Sequence, residues 1–195
     1  MLYCFSILFF VILIIAINVL IYGVSTFWWT TLAVVLSVVA VILIDGVFAF
    51  IVRWILPQKW FSVENKSFVP KKWEIKFYEK IGIKKWKDLV LELGFFTSFS
   101  KSKLSDPYND EYVKRFIVES NFGIVVHIMG CIFGFLILLI YPSRVFSIGI
   151  PVSIVNIFYN MLSVVILRYN LPKLFTLHKF NIRNSKKREE AKQAV

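Results

Sequence analysis

The chain has few of the residues from which metal centres and phosphate-binding loops are built. It contains two cysteines, two histidines and eight glycines among 195 residues. Cys4 and Cys131 lie in apolar surroundings without the spacing of metal ligands, so we interpret both as packing residues. No glycine-rich phosphate loop, serine nucleophile elbow or paired-cysteine site occurs in the sequence. Any chemistry must therefore come from other polar groups.

Acidic residues are also scarce, with 12 Asp and Glu against 23 Lys and Arg, which gives a formal net charge of +11. Hydrophobic residues make up 58% of the chain, and the mean hydropathy is +0.71. Such a chain is too apolar to cover itself with polar surface as a soluble globule. Four apolar runs reach the roughly 20 residues that span a membrane as a helix: 2–24, 28–52, 123–141 and 148–167. The sequence predicts an all-α integral membrane protein with four transmembrane helices.

The positions of the basic residues predict how these helices are oriented. Fourteen Lys and Arg lie within residues 53–122, eight lie from Arg168 onward, and Arg144 alone falls in a loop on the opposite side. Because short loops rich in Lys and Arg stay in the cytoplasm, we expect a multi-pass cell-membrane protein with both termini cytoplasmic. The net positive charge then favours anionic lipid headgroups as partners, and we do not expect nucleic-acid binding.

The same pattern divides the chain into four parts. Residues 1–55 form the first two transmembrane helices, and 56–121 form a basic, amphipathic insert that is cytoplasmic and partly interfacial. Residues 122–168 form the third and fourth helices, and 169–195 a basic cytoplasmic tail, of which the charged part after Asn184 is expected to be frayed.

Within the insert, basic residues alternate with aromatic and aliphatic ones between residues 71 and 93. This composition predicts short helices in the plane of the lipid headgroups, with Gly82 dividing the stretch into two pieces. Asp110 follows a strong turn sequence and is predicted to cap a helix that runs directly into the third span.

Four polar residues lie within the predicted spans: Asp45, His127, Asn156 and Asn160. Counting about 1.5 Å per residue places Asp45, His127 and Asn160 about 9–12 Å below the same cytoplasmic boundary, so they could converge. An ionisable group inside a span suggests function, and Asp45 could orient His127 as a general base. The competing interpretation is a hydrogen-bonded cluster that only holds the helices together.

Glu119 stands eight residues before His127 and could face the same pocket, although it could equally be a solvated charge beside Lys114 and Arg115. A metal site is disfavoured, because one histidine and one carboxylate are too few ligands and His178 lies far along the tail.

Three stretches carry a resemblance to a known family. They are residues 77–88 (FYEKIGIKKWKD), 115–120 (RFIVES) with His127 at a matching distance, and 156–160 (NIFYN) leading to 168–173 (RYNLPK). Over about residues 60–175 the chain resembles the glycosyl-4,4'-diaponeurosporenoate acyltransferase family, small membrane proteins linked to the acylation of a glycosylated carotenoid.

The resemblance implies a membrane acyltransferase that moves a fatty acyl group, with an acyl thioester as donor, onto a hydroxyl of a glycosylated isoprenoid or other glycolipid. In this hypothesis His127 is the general base, oriented by Glu119 or, because of its depth in the span, by Asp45, and no cofactor is required. Asn156 or Asn160 would bind the oxyanion or a sugar hydroxyl. Further residues are expected to bind the substrate: Arg168, Tyr169, Asn170 and Lys173. Another group would hold lipid headgroups or donor phosphate: Lys84, Lys85, Trp86 and Lys87.

The chain also departs from the family pattern. Phe122 and Ile124 stand where an Arg and a second Glu are expected, and Leu167 and Leu171 replace a Gln and an Arg. These replacements favour an alternative, a non-catalytic accessory, immunity or scaffold protein of the same fold. A small transporter or channel is disfavoured because no polar stripe crosses a span. A membrane-protein partner or a second copy of the chain is compatible with either function.

Overall fold

The computed structural model describes residues 2–90, 104–140 and 142–193. These residues form helices and the turns that join them, and no strand occurs among them. Four helical segments are long and apolar enough to cross a membrane: Cys4–Tyr22, Val24–Ile55, Asp110–Leu139 and Pro142–Ala191. The predicted all-α fold with four such helices is confirmed.

Six α-helices lie within the described ranges: α1 (Leu2–Tyr22), α2 (Phe27–Ile55), α3 (Lys72–Lys80), α4 (Ile83–Trp86), α5 (Asp110–Phe133) and α6 (Ile150–Gln193). Tighter or wider turns extend two of the long helices. Gly134–Leu139 continues α5 as a 3-10 helix, and Val145–Gly149 forms a π-helical segment directly before α6.

Contacts between residues divide the chain into two compact units. The first comprises Met1–Leu56 and Val125–Val164, and the second comprises Pro57–Ile124 and Val165–Val195. Helices α5 and α6 therefore each contribute one part to each unit.

The first unit packs α1 and α2 against the ends of α5 and α6. Its buried apolar cluster draws on every one of these segments: Ile14, Val34, Val41, Ile137, Ile148 and Val152. Large side chains on the outer faces of α1 and α2 are exposed, among them Leu20 and Leu43. Exposed apolar faces of this kind suit a bilayer, where lipid tails cover them.

The second unit has a core that includes Phe122 and Ile124, the positions where the sequence resemblance led us to expect charged residues. Phe122 stacks on Phe61, with ring centroids 3.8 Å apart, and both rings are buried. Ile124 is also buried, and the Asn121 side-chain amide donates to the Phe61 carbonyl at 3.0 Å. Apolar residues at 122 and 124 are therefore part of the packing of this chain.

Within residues 71–90 the insert forms two short helices, α3 and α4, with Gly82 between them, while their placement in the headgroup plane stays a prediction. Gly82 has φ +72°, a left-handed conformation that residues with a Cβ adopt at a cost. At the start of α3, Glu74 accepts a hydrogen bond from the Lys71 backbone N–H at 3.1 Å, which satisfies one free donor of the first turn.

Two sequence predictions about helix ends were wrong. Asn109, and not Asp110, caps α5: its side-chain oxygen accepts from the Tyr112 backbone N–H at 3.1 Å. The Asp110 carboxylate instead contacts the His178 ring 2.6 Å away. Residues 185–193, expected to be frayed, are helical, because α6 continues to Gln193 through a sequence rich in strong helix formers.

We expect substitution by alanine to change the stability of the protein in opposite directions at Gly82 and at Gly46. A Cβ at Gly82 would force a residue with a side chain into φ +72°, so we expect Gly82→Ala to lower the free energy of unfolding by about 1 kcal/mol. Gly46 lies inside α2 with open space around it, so Gly46→Ala should leave stability equal or higher. Thermal denaturation in a mild detergent checks both; equal losses would contradict the assigned conformation of Gly82.

Candidate functional site

A hydrogen-bonded network in the first unit joins three helices through the side chain of Asn160. The Asn160 Oδ1 lies 2.8 Å from Nδ1 of His127 on α5. The Asn160 Nδ2 donates to Oδ2 of Asp45 on α2 at 3.1 Å. The structure thus brings together the three residues that depth counting placed at one level, with the amide between the carboxylate and the imidazole.

Asn156, one turn before Asn160 on α6, completes the network. Its Oδ1 accepts from Nδ2 of Asn160 at 2.9 Å, and its Nδ2 donates to the Gly130 carbonyl at 3.0 Å. A Cβ at Gly130 would lie 2.7 Å from Oδ1 of Asp45 and 2.9 Å from Oδ1 of Asn160, and one at Gly134 would overlap Asn156 Nδ2. Gly130 of α5 and Gly134, the first residue of the 3-10 helix that continues it, therefore make room for the amides.

These contacts determine which nitrogen of His127 carries the proton. The Asn160 Nδ2 faces only acceptors, namely Asp45 Oδ2, the Asn156 carbonyl and Asn156 Oδ1, so the opposite atom must be the oxygen. Because that oxygen can only accept, Nδ1 of neutral His127 must donate. The lone pair of the neutral ring then lies on Nε2, as it does in a histidine that acts as general base.

Asp45 has one further acceptor. Its Oδ1 is buried and has no hydrogen-bond partner among the described residues, whereas Oδ2 accepts from Asn160. A buried acceptor without a donor is costly, and it can be satisfied by a hydroxyl that binds next to it.

Glu119, the other carboxylate predicted to act with His127, is partly buried on α5 and belongs to the second unit. Its role stays a prediction.

A second polar cluster, which the sequence did not reveal, lies in the second unit around Glu74. The Arg168 guanidinium donates to Glu74 Oε2 through Nη2 at 2.6 Å and through Nε at 3.0 Å, and the Tyr78 hydroxyl donates to the same oxygen at 3.2 Å. The Arg168 and Glu74 side chains are only 20% and 13% exposed, so solvent screens this ion pair weakly. The sequence signal that could have indicated this cluster is Glu74, an acidic residue in the first turn of a basic helix, followed four residues later by Tyr78.

The surroundings shift the pKa values of this cluster. Burial alone would raise the pKa of Glu74, but the Lys71 backbone N–H and the Arg168 guanidinium outweigh it, so the net shift is downward. Burial, together with the nearby Glu74 carboxylate, raises the pKa of Tyr78, so this phenol stays protonated and can donate.

The remaining residues of the predicted substrate-binding group, Tyr169, Asn170 and Lys173, lie on α6. Tyr169 is buried and packs with Tyr78 and Ile83, while Lys173 Nζ lies 4.9 Å from the centroid of its ring. Asn170 is partly buried on the same helix.

The predicted headgroup-binding residues lie on and after α4. Lys84 pairs with Glu79 at 3.1 Å and Lys87 with Asp88 at 3.4 Å. Lys85 is exposed, and the Trp86 indole N–H donates to the Ile81 carbonyl at 3.1 Å. Exposed ion pairs of this kind contribute little, so these amines can exchange partners.

His178, which sequence reasoning left in the tail, is held by Asp110 in the second unit. In the part of the chain that the structure describes, no group of three or more His, Cys, Asp or Glu side chains could hold a metal ion.

Comparison with protein families identifies the chain's relatives. The family model for glycosyl-4,4'-diaponeurosporenoate acyltransferase matches residues 57–179, more than half of the chain, which confirms the resemblance seen in the sequence. The match includes His127, Asn156, Asn160 and Arg168, whereas Asp45 lies outside it. Comparison with curated proteins and with solved structures gave no match.

The proton position on His127 can be tested by spectroscopy because the chain has only two histidines. In ¹⁵N-histidine-labelled protein at pH 8, we expect the His127 ring to show the Nδ1–H tautomer. Asn160→Leu, which removes the acceptor, should abolish this preference, and His178→Gln assigns the second set of signals. An Nε2–H tautomer for His127 in the wild type would contradict the network described above.

The Glu74 cluster predicts a dependence of stability on pH. Because the folded-state pKa of Glu74 lies below its ordinary value of 4.5, its contribution is fully present above that pH and is lost as pH falls through the folded pKa. Glu74→Gln should therefore cost about 1–2 kcal/mol at pH 7. The difference from wild type should shrink on acidification to pH 3. Thermal midpoints in detergent measure this, with the exposed Glu79→Gln as control. A difference that persists at pH 3 would rule out the carboxylate as its source.

Proposed function

Because the chain belongs to the glycosyl-4,4'-diaponeurosporenoate acyltransferase family, we propose that it is an integral membrane acyltransferase. It would transfer a fatty acyl group to a hydroxyl of a glycosylated carotenoid or a related glycolipid. The observation that carries this proposal is the contact between His127 Nδ1 and Asn160 Oδ1, which leaves Nε2 of the ring as the basic atom.

The proposed reaction uses an acyl thioester as donor. His127 Nε2 removes the proton of the acceptor hydroxyl as its oxygen attacks the thioester carbonyl. The new C–O ester bond forms and the C–S bond breaks when the tetrahedral intermediate collapses. The protonated imidazole then gives its proton to the departing thiolate, so the ring returns to its starting state and no cofactor is consumed.

The other residues of the network receive supporting roles in this scheme. Asn160 is a positioning residue, because its N–H groups are engaged by Asp45 and Asn156 and its oxygen by His127. Asp45 orients Asn160, and its second carboxylate oxygen can accept a hydrogen bond from a substrate hydroxyl. Asn156 uses one N–H on Gly130, which leaves a second N–H for the developing oxyanion.

Binding of anionic groups is assigned to the second unit. The ion pair with Glu74 holds Arg168 in place, while Lys173 and Lys84 carry amines that can move toward a phosphate. Tyr169 and Asn170 belong to the same stretch of α6, within the matched region. Lys85, Trp86 and Lys87 would contact lipid headgroups or the donor.

We place both termini and the insert on the cytoplasmic side, supported by the excess of Lys and Arg there. Helix α3 adds a physical reason to place the insert at the membrane surface. Trp73 and Phe77, spaced four residues apart, are 65% and 52% exposed, and Ile81 follows four residues later at 42%. An exposed apolar stripe flanked by lysines suits the headgroup region.

The alternative is a non-catalytic accessory protein of the same fold. It is favoured by Phe122 and Ile124, which fill the core of the second unit where the family pattern carries charged residues. The same experiment decides between the two functions.

The two histidines provide matched variants for that experiment. Wild type, His127→Gln and His178→Gln are expressed in cells that make glycosyl-4,4'-diaponeurosporenoate, and the extracted lipids are compared by mass spectrometry. We expect an acylated product in the wild type and in His178→Gln. In His127→Gln its rate of formation should fall by about 10²- to 10⁴-fold, the usual contribution of a general base.

The amount of each protein in the membrane and its thermal midpoint are matched before the lipids are compared. Equal product from wild type and His127→Gln would remove the catalytic role of the histidine. Lipid profiles that are identical with and without the wild-type protein would favour the accessory function.

A further inference from the structure

An apolar cleft of about 540 Å³ lies between α1 and the start of α6, within the first unit. Its size falls in the range of roughly 300–1,000 Å³ found for ligand sites. The lining residues on α1 run from Phe10 to Tyr22, which is about 18 Å of helix. That length is close to half of a hydrocarbon core about 30 Å thick, the depth reached by the acyl chains of one leaflet.

The cleft is open on the outer face of the helices. Three of its lining residues, Ile17, Ile21 and Phe146, are 45%, 62% and 85% exposed. In a bilayer these side chains face lipid, so a hydrocarbon chain can move into the cleft sideways without crossing the protein.

A partly buried arginine, Arg144, lies at the Tyr22 end of the cleft. The Arg144 guanidinium stacks on the Tyr22 ring, 3.4 Å from its centroid. Its Nη1 atom is buried and has no hydrogen-bond partner among the residues that the structure describes. Tyr22 lines the cleft, as do Phe146 and Ser147, which follow Arg144 closely in sequence. A buried guanidinium N–H beside hydrocarbon is costly unless an acceptor pairs with it.

More unpaired polar atoms lie at the same end of the unit. Asn18 is fully buried, and its Nδ2 donates to the Ser147 carbonyl at 2.7 Å, within the π-helical segment. The Asn18 Oδ1 and the Ser147 hydroxyl oxygen are both buried, and within the described ranges neither has a hydrogen-bond partner. Irregular helical turns of this type occur often at functional sites, because they leave polar groups available for ligands.

From these observations we propose that the cleft is a binding site for one phospholipid molecule. Its acyl chain lies along α1, and its phosphate accepts hydrogen bonds from Arg144 and from the Ser147 hydroxyl. Charge complementarity selects this ligand, since Arg144 is the single Lys or Arg between Arg115 and Arg168. The site does not depend on the proposed acyl transfer, because it uses none of the residues of the His127 network.

Native mass spectrometry of the purified protein tests the phosphate contact, with phosphatidylglycerol titrated into the detergent. We expect Arg144→Gln to weaken binding by about tenfold or more, as loss of a charge-assisted hydrogen bond does. Arg53→Gln removes an arginine from the last turn of α2, away from the cleft. This substitution should change the binding of phosphatidylglycerol by less than about twofold. Equal losses in the two variants would show attraction to charge alone and overturn the proposal.

A second pair of variants tests the acyl-chain part. Ile17→Trp fills the cleft, whereas Leu20→Trp places the same ring on the 84% exposed face of α1, outside the lining. Bound phosphatidylglycerol should be lost in the first and retained in the second. Unchanged binding in Ile17→Trp would overturn the assignment. Thermal midpoints confirm folding, and this pair decides alone if Arg144→Gln does not fold.

Discussion

The amide of Asn160 is the contact on which the polar interior of the first unit depends. It accepts from His127 on α5, donates to Asp45 on α2, and is held by Asn156 on its own helix α6. Each of these polar groups would be costly to bury in hydrocarbon without a hydrogen-bond partner, and the Asn160 side chain supplies one partner to each. Because an amide has distinct donor and acceptor ends, the same contact that joins the helices also orients the imidazole. Stability and the proposed chemistry therefore share one group.

Sequence reasoning could predict those parts of the fold that depend on local composition. Hydropathy marks the four long helices, and the rise of a helix was enough to place Asp45, His127 and Asn160 at one depth. It could not predict that Asn160 stands between the other two, since that depends on how the helices rotate toward each other. The Glu74–Arg168 and Asp110–His178 pairs were missed for a related reason. Their partners are 94 and 68 residues apart, and nothing local marks one as the complement of the other.

Packing accounts for the apolar residues at 122 and 124, where the resemblance led us to expect an Arg and a Glu. The stacked rings of Phe61 and Phe122 and the buried Ile124 occupy positions where charged groups would need partners of their own. Exchange of a charged set for an apolar one often leaves a core equally stable or more so. This chain can therefore keep the family fold with different residues at these two positions. The polar groups in the bilayer are held by a separate set of contacts, centred on Asn160.

The separation of 115 residues between Asp45 and Asn160 has a consequence for biogenesis. At a synthesis rate of about 5–20 residues per second, α2 leaves the ribosome about 6–23 s before its hydrogen-bond donor exists. During that interval the Asp45 carboxyl group lies in the bilayer without its partner, at a cost of roughly 2.5–3.5 kcal/mol. The favourable insertion free energy of the surrounding Val, Ile, Leu and Phe residues offsets this cost. The strongly apolar sequence of α2 therefore also allows this helix to stay inserted in the membrane before α6 has been synthesised.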